Sequence, residues 1–190
     1  GLGSDPNSVL LVSEDAHSSF IKCTRIMGLD ESNLVRIKTD NKGCMDIQNL
    51  RTTINKCLND NKKIFAIVAT LGTTVRGAID PIKDISEICK ERNIWLHIDG
   101  SIGGIFAVTS IPIEGLNNIN QANSITINPQ KIIGITKTSS LLLVSNMSTL
   151  ENTFSTGLPY VTSKNNIKNR GELGVPVSYT HLRAHETIAD

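Results

Sequence analysis

The sequence predicts an α/β fold, in which a mostly parallel sheet carries helices on both faces. Short apolar runs alternate along the chain with segments of helical periodicity, which is the pattern of βαβ units. The run at residues 64–69 is apolar throughout, as expected for a parallel strand that is covered on both sides. A chain of 190 residues with a hydrophobic fraction of 39% is long enough to form one domain with a substantial core.

Each predicted strand is a short apolar run, and each predicted helix lies between two such runs. The strands are expected at residues 9–12, 34–37, 64–69, 94–98, 124–127 and 140–144. The helices are expected at residues 18–27, from residue 47 onward, and at residues 81–92. Gly28 is expected to end the first helix, and Asp46 to cap the second. Spacings of three and four residues predict that the second helix buries Ile47, Leu50, Ile54, Cys57 and Leu58.

The net charge, the length of the apolar runs and the spacing of the cysteines argue against several classes of protein. The 19 basic and 18 acidic residues give a formal net charge of +1, so no bulk field favours nucleic acid or an anionic membrane. No apolar run approaches the length of a membrane span. The four cysteines are widely spaced, which argues against a structural zinc site and indicates reduced thiols in a cytoplasmic protein.

Polar side chains follow four of the predicted strands, at the points where ligands collect in open α/β sheets. His17 follows the first strand, and Thr74 follows the strand at residues 64–69. Asp99 ends the run at residues 94–98, and Lys131 follows the run at residues 124–127. Four strand ends therefore supply an imidazole, a hydroxyl, a carboxylate and an amine.

Each of these residues also has a structural interpretation. His17 fits a hydrogen-bonded structural histidine, Thr74 a turn cap, and Lys131 a surface lysine whose stem lies on apolar surface. Asp99 is harder to explain in this way, because it follows an apolar run and an unpaired buried carboxylate is costly. One expectation is a buried salt bridge between Asp99 and Lys131. The other is a cofactor between them, since pyridoxal phosphate takes a lysine as Schiff base and an aspartate at its pyridinium nitrogen.

Five stretches of the chain resemble one enzyme family in their order and spacing, and the match as a whole covers about residues 9–160. The family is that of the group II pyridoxal-phosphate-dependent amino acid decarboxylases, which includes the glutamate, cysteine sulfinate, diaminobutyrate, aromatic amino acid and archaeal tyrosine decarboxylases. The stretches are SEDAHSSFIK, GCMDIQNL, IVATLGTTVRGAIDPI, WLHIDGSIGG and NSITINPQKIIG. The resemblance implies the large cofactor-binding domain of the fold-type I enzymes and pyridoxal 5'-phosphate as cofactor.

The resemblance also implies a role for individual residues. Lys131 matches the lysine that forms the Schiff base with the cofactor. Asp99 matches the carboxylate that keeps the pyridine nitrogen protonated. His17 matches the imidazole on one face of the ring, Ser101 the small residue on the opposite face, and Thr74 the hydroxyl near the phenolic oxygen.

Further matches concern the phosphate and the final proton transfer. Asn128 matches a phosphate contact, and Gln130 stands where the family usually has histidine. Glutamine donates a hydrogen bond to phosphate but cannot be cationic, so weaker cofactor binding is expected. Tyr160 matches the loop tyrosine that returns a proton to the substrate carbon. At Ile102 the chain has lost the family's usual tyrosine.

Three segments are expected along the chain. Residues 1–162 match part of the large domain, and residues 163–176 are polar and irregular, as in a mobile loop. Residues 177–190 resemble a translated sequencing-library adapter, so they are expected not to be natural protein. The resemblance further implies that an upstream phosphate loop and a C-terminal small domain belong to the whole protein, and we expect the 190-residue chain to be inactive alone.

The expected function is the conversion of an L-amino acid to an amine and carbon dioxide by a cytoplasmic homodimer. Another lyase or an aminotransferase that uses the same cofactor is a second interpretation. A catalytically inactive scaffold fragment is a third, favoured by Gln130 and Ile102. A dinucleotide-binding domain is disfavoured because no G-x-G-x-x-G follows the first strand.

Overall fold

The computed structural model describes residues 5–113, 115–136 and 139–154. In this part of the chain, six strands form one sheet in the order β2-β1-β3-β4-β5-β6. The strands are β1 (Ser8–Ser13), β2 (Leu34–Ile37), β3 (Lys63–Thr70), β4 (Trp95–Asp99), β5 (Ser124–Ile127) and β6 (Leu141–Val144). The first five strands run parallel to one another, and β6 runs antiparallel to β5. The predicted mostly parallel sheet is therefore confirmed.

Five α-helices occur in the described residues. They are α1 (Ser19–Ile26), α2 (Ile47–Asn59), α3 (Ile82–Arg92), the single turn α4 (Pro129–Ile132) and α5 (Met147–Phe154). Helix α5 belongs to a separate compact unit that starts at Asn146. None of the helices in the described ranges combines the length and apolar character that crossing a membrane requires.

Helices cover both faces of the sheet, as predicted. On one face, Ile67 of β3 and Ile98 of β4 pack in a common core with Ile54 of α2 and Ile85 of α3, and all four side chains are fully buried. On the opposite face, Phe20 and Ile21 of α1 pack against a smaller cluster from β1, β2 and β3. Burial of these branched side chains is the main favourable contribution to the fold.

The predicted ends of α1 and α2 are confirmed. Asp46 accepts a hydrogen bond from the backbone N–H of Asn49 at 2.8 Å, so it satisfies one of the unpaired donors of α2. Gly28 follows α1 with a φ of 74°, which suits the residue after a helix end. The prediction that α2 buries Leu58 is wrong, because this side chain is 48% exposed. Leu58 lies about 80° around the helix axis from Leu50, at the edge of the buried stripe.

The turn after β4 packs tightly against its neighbours. A Cβ atom on Gly103 would lie 2.5 Å from the carbonyl oxygen of Leu71, just beyond β3. A Cβ atom on Gly100 would lie 2.9 Å from the carbonyl oxygen of Thr126 on β5. The N–H of Gly103 donates to that same Leu71 carbonyl at 2.9 Å. The backbone after Asp99 is thus held by both adjacent strands.

We predict that Gly103→Ala lowers the free energy of unfolding by about 2 kcal/mol or more, because the added methyl group meets backbone that cannot move aside. Gly104→Ala is the matched control, since its methyl group would meet the side chain of Ile127 rather than backbone. Denaturant unfolding of both variants measures the difference. Equal losses, or a smaller loss for Gly103→Ala, would contradict the close packing of this turn.

Candidate active site

Asp99 ends β4 at the centre of the carboxyl edge of the sheet. In the strand register it pairs with Thr70 of β3 on one side and with Thr126 of β5 on the other. Its side chain makes one hydrogen bond within the described residues, accepted by Oδ1 from the backbone N–H of Ser101 at 3.1 Å. The second carboxylate oxygen therefore has acceptor capacity that the described chain does not use.

Of the two expectations for Asp99, the buried salt bridge with Lys131 is wrong. None of the ion pairs among the described residues contains either side chain. Asp99 is only half-buried and Lys131 is exposed on α4. Asp99 is only half-buried because successive side chains along β4 point to opposite faces of the sheet. Leu96 and Ile98 point into the helix-covered core, whereas His97 and Asp99 share the opposite, partly open face.

The turn between β5 and α4 presents two amides beside the lysine. Asn128 accepts a hydrogen bond from the hydroxyl of Ser140 through Oδ1 at 2.8 Å, which leaves its NH₂ group available as a donor. The Oε1 atom of Gln130 is buried and has no hydrogen-bond partner among the described residues. The oxygen and nitrogen of an amide have nearly the same shape, so the NH₂ group of Gln130 can occupy this position and donate to an anion.

His17 lies in the segment after β1 and is exposed. Its Nδ1 atom accepts from the backbone N–H of Ser19 at 3.2 Å and lies 2.9 Å from the hydroxyl of the same residue. In the neutral ring the proton is therefore on Nε2. These contacts match the interpretation of His17 as a hydrogen-bonded residue, and no described side-chain contact joins it to Asp99.

The two threonines in the loop after β3 differ in burial and in hydrogen bonding. Thr73 is buried, and its hydroxyl oxygen accepts from the backbone N–H of Ala78 at 3.0 Å, so this residue stabilises the turn. Thr74 is exposed at the loop tip, where its hydroxyl is accessible. Ser101 is half-buried beside Asp99. Tyr160 and the segments predicted at residues 163–176 and 177–190 lie outside the described residues.

His97 is a part of this edge that the sequence reasoning did not select. Its ring nitrogens lie 2.8 Å from the hydroxyl of Ser124 and 3.3 Å from that of Thr126. The indole N–H of Trp95 donates to the same Ser124 hydroxyl at 2.9 Å. Burial lowers the pKa of His97, and the nearby carboxylate of Asp99 partly opposes that shift. A neutral imidazole therefore lies beneath Asp99 at neutral pH.

Asp80 is the second residue that the sequence reasoning missed. Its side chain is 1% exposed, and its two oxygens accept from the backbone N–H groups of Thr70 and Met45, each at 2.7 Å. Burial, with a smaller contribution from the carboxylates of Asp15 and Asp40, raises the pKa of Asp80 to about 6, against the lowering effect of these two hydrogen bonds. The sequence signal was the apolar context of GAIDPI, which resembles the context that drew attention to Asp99.

We predict that the carboxyl group of Asp80 titrates near pH 6 in the folded chain, as measured by ¹³C NMR. Asp40 is the control, because it also accepts backbone N–H bonds, from Lys42 and Cys44, but is exposed. These bonds lower the pKa of Asp40 below its ordinary value of 3.8. A pKa below 4 for Asp80 would show that its two hydrogen bonds outweigh burial.

The same shift has a consequence for stability. Because folding raises the pKa of Asp80 above its ordinary value of 3.8 to about 6, the folded state binds the proton more tightly than the unfolded state. The stabilising contribution is complete below about pH 4 and is lost as the pH rises through 6. The expected loss is about 2 to 3 kcal/mol in the free energy of unfolding. Asp80→Asn removes this pH dependence if the assignment is correct.

A family model supports the resemblance. The model for the pyridoxal-dependent decarboxylase conserved domain matches residues 5–185. Acidic amino acid decarboxylase GADL1 of Xenopus tropicalis is 35% identical over 133 residues, which are 70% of this chain and 26% of that protein. The mouse protein of the same name is 34% identical over 150 residues, which are 79% of this chain and 27% of that protein. The chain thus spans about a quarter of the length of these relatives.

The fold is also that of a solved structure in this group. The crystal structure of mouse CSAD superposes with a TM-score of 0.83 and 27% sequence identity, over 93% of this chain and 37% of that one. The mostly parallel sheet agrees with this structural similarity. The chain belongs to the family of pyridoxal-dependent decarboxylases.

Proposed function

We propose that this chain forms part of the cofactor-binding domain of an enzyme that removes carbon dioxide from an L-amino acid. The observation that carries the proposal is the row of chemically complementary groups at one edge of the sheet. Asp99 ends β4, the amides of Asn128 and Gln130 follow β5, and the amine of Lys131 comes directly after them. The activity would belong to the whole protein, because this chain covers about a quarter of the relatives' length.

The residues present fit pyridoxal phosphate, the cofactor of the family. An aldehyde requires an amine, and Lys131 is exposed and outside any ion pair among the described residues. A pyridinium nitrogen requires a carboxylate, and Asp99 has an oxygen without a described partner. A phosphate requires donors, and the NH₂ group of Gln130 can supply one at the buried Oε1 position, which lacks a partner within the described chain. When bound, this cofactor supplies an electron sink for the bond that breaks.

Each side chain would then have a separate task. Asp99 would hold a proton at the pyridine nitrogen, and the neutral His97 beneath it would not compete as a cation. Lys131 would hold the cofactor covalently and release it to the incoming substrate amine. Asn128 and Gln130 would donate to the phosphate, and Thr74 would contact the phenolic oxygen. His17 and Ser101 would cover opposite faces of the ring, and Tyr160 would return a proton to the substrate carbon.

The names of the relatives support an acidic substrate. Both curated relatives are acidic amino acid decarboxylases, and they share 35% and 34% of residues with this chain over the matched segments. We therefore propose an acidic L-amino acid as the substrate class.

The family resemblance supports a homodimer for the whole protein and a cytoplasmic location. Product analysis separates this activity from the alternatives, since a decarboxylase releases an amine and carbon dioxide, whereas an aminotransferase yields a keto acid.

We predict that Lys131→Ala in the full-length enzyme abolishes the visible absorbance of protein-bound cofactor and the release of amine. The reason is that alanine has no amine with which to hold the aldehyde. Lys83→Ala is the control, because Lys83 is an exposed lysine on α3. A visible spectrum that persists in Lys131→Ala, with amine still formed, would assign the role to another lysine.

We also predict that Gln130→His tightens cofactor binding. An imidazolium at this position would make a charge-assisted hydrogen bond to phosphate, which is stronger than the bond from a neutral amide. We expect the dissociation constant to fall about threefold to tenfold, equivalent to roughly 1 kcal/mol. Fluorescence titration of the apoenzyme measures it. Gln130→Leu, which has no donor, should raise the constant, and unchanged values for both variants would remove Gln130 from the phosphate site.

A further inference from the structure

We propose that Asp80 is a positioning residue, which fixes through backbone hydrogen bonds the loop that carries Thr74 and the strand end that carries Asp99. The inference rests on the proposed function, since it concerns the residues that would contact the cofactor. Asp80 itself is buried and need not touch the cofactor. Its effect would be transmitted by the backbone groups to which it is bonded.

Asp80 closes the base of the loop between β3 and α3. Oδ2 of Asp80 accepts from the N–H of Thr70 at 2.7 Å, and the N–H of Asp80 donates to the carbonyl of Thr70 at 2.9 Å. Leu71 and Ile79 form an isolated bridge just above this pair. The two ends of the loop are therefore joined at its base by Asp80, through both its backbone and its side chain.

Two hydrogen bonds connect the base of this loop with its tip. The N–H of Gly77 donates to the carbonyl of Thr73 at 2.8 Å, and the N–H of Ala78 donates to the Thr73 hydroxyl at 3.0 Å. Thr74 lies inside this hydrogen-bonded turn. Because the turn is bonded internally, it moves as a unit, and the position of Thr74 depends on how the base is held.

Backbone hydrogen bonds also connect this loop with the end of β4, which carries the Asp99 carboxylate. The N–H of Leu71 donates to the carbonyl of Asp99 at 2.9 Å, and the carbonyl of Leu71 accepts from the N–H of Gly103, also at 2.9 Å. Thr70 pairs with Asp99 in the strand register. A displacement of Thr70 and Leu71 would therefore displace the backbone on both sides of the Asp99 side chain.

The second oxygen of Asp80 ties in a third segment. Oδ1 accepts from the N–H of Met45 at 2.7 Å, 35 residues away along the chain. Met45 also bridges Thr39 and precedes Asp46, the residue that caps α2. One buried carboxylate thus joins the segment before α2, the end of β3 and the segment before α3. The described residues include no cation in an ion pair with Asp80, so the two N–H groups are its principal partners.

This geometry requires two acceptors, which makes the isosteric amide a decisive substitution. Both partners of Asp80 are N–H donors. Asparagine has the same shape but offers one acceptor and one NH₂ group, which would face an N–H. Asp80→Asn should therefore keep the volume of the site, lose one of the two bonds and loosen the loop base.

Asn33 provides a matched control at the other end of the sheet. It is 4% exposed, and its amide nitrogen donates to the carbonyls of Pro6 and Ser8, each at 2.8 Å. Asn33→Asp is the reverse isosteric exchange, which replaces a donor to two carbonyls with an acceptor. It should lower stability without reaching the carboxyl edge, where the cofactor would bind.

The experiment compares full-length wild type, Asp80→Asn and Asn33→Asp in three measurements. These are the melting temperature of the apoenzyme, the dissociation constant of pyridoxal phosphate and the visible absorption of the bound cofactor as a function of pH. We expect both variants to melt at lower temperature. Only Asp80→Asn should weaken cofactor binding, by about tenfold. Only this variant should shift the pH dependence of the absorption band.

A fall in melting temperature for Asp80→Asn with unchanged cofactor binding and spectrum would overturn the inference and leave the proposed function intact. Failure of the wild type to bind pyridoxal phosphate would overturn both. If Asp80→Asn does not fold, Asp80→Glu replaces it. This variant keeps both acceptors but moves them by one methylene, so weaker cofactor binding than in Asn33→Asp supports the inference and equal binding overturns it.

Discussion

The parallel pairing of β3, β4 and β5 is the constraint on which the rest of this structure depends. It places Thr70, Asp99 and Thr126 side by side at the carboxyl edge of the sheet. Three candidate groups in the described residues follow these strands by short connections: Thr74 in the loop after β3, Ser101 in the glycine turn after β4 and Lys131 in the turn after β5. The apolar strands thus determine where the candidate polar groups lie.

Two carboxylates near this row have opposite environments. Asp99 is half-buried and makes a single hydrogen bond to the described chain, so it can accept from a ligand. Asp80 is 1% exposed, and both of its oxygens are bonded to backbone N–H groups. One residue type therefore occurs in two environments, because burial and bonding decide whether a carboxylate oxygen is free to accept from a ligand or is already bonded to the chain.

The sequence was sufficient for the strands, for the caps of α1 and α2 and for the identities of the residues at the strand ends, because these features repeat locally or mark a terminus. It did not reveal Asp80 or His97, whose importance depends on partners 35 and 27 residues away along the chain. Such contacts leave no local periodicity. It also overstated the burial of Asp99, since one apolar run does not show how well each face of a strand is covered.

The most direct test of the central claim is to locate the covalent attachment of the cofactor in the full-length protein. Reduction of the protein with borohydride in the presence of pyridoxal phosphate, followed by peptide mass spectrometry, identifies the lysine that carries it. We predict a stable phosphopyridoxyl group on Lys131, in the peptide that follows β5. Attachment to a different lysine, or no attachment under conditions in which the protein is folded, would contradict it.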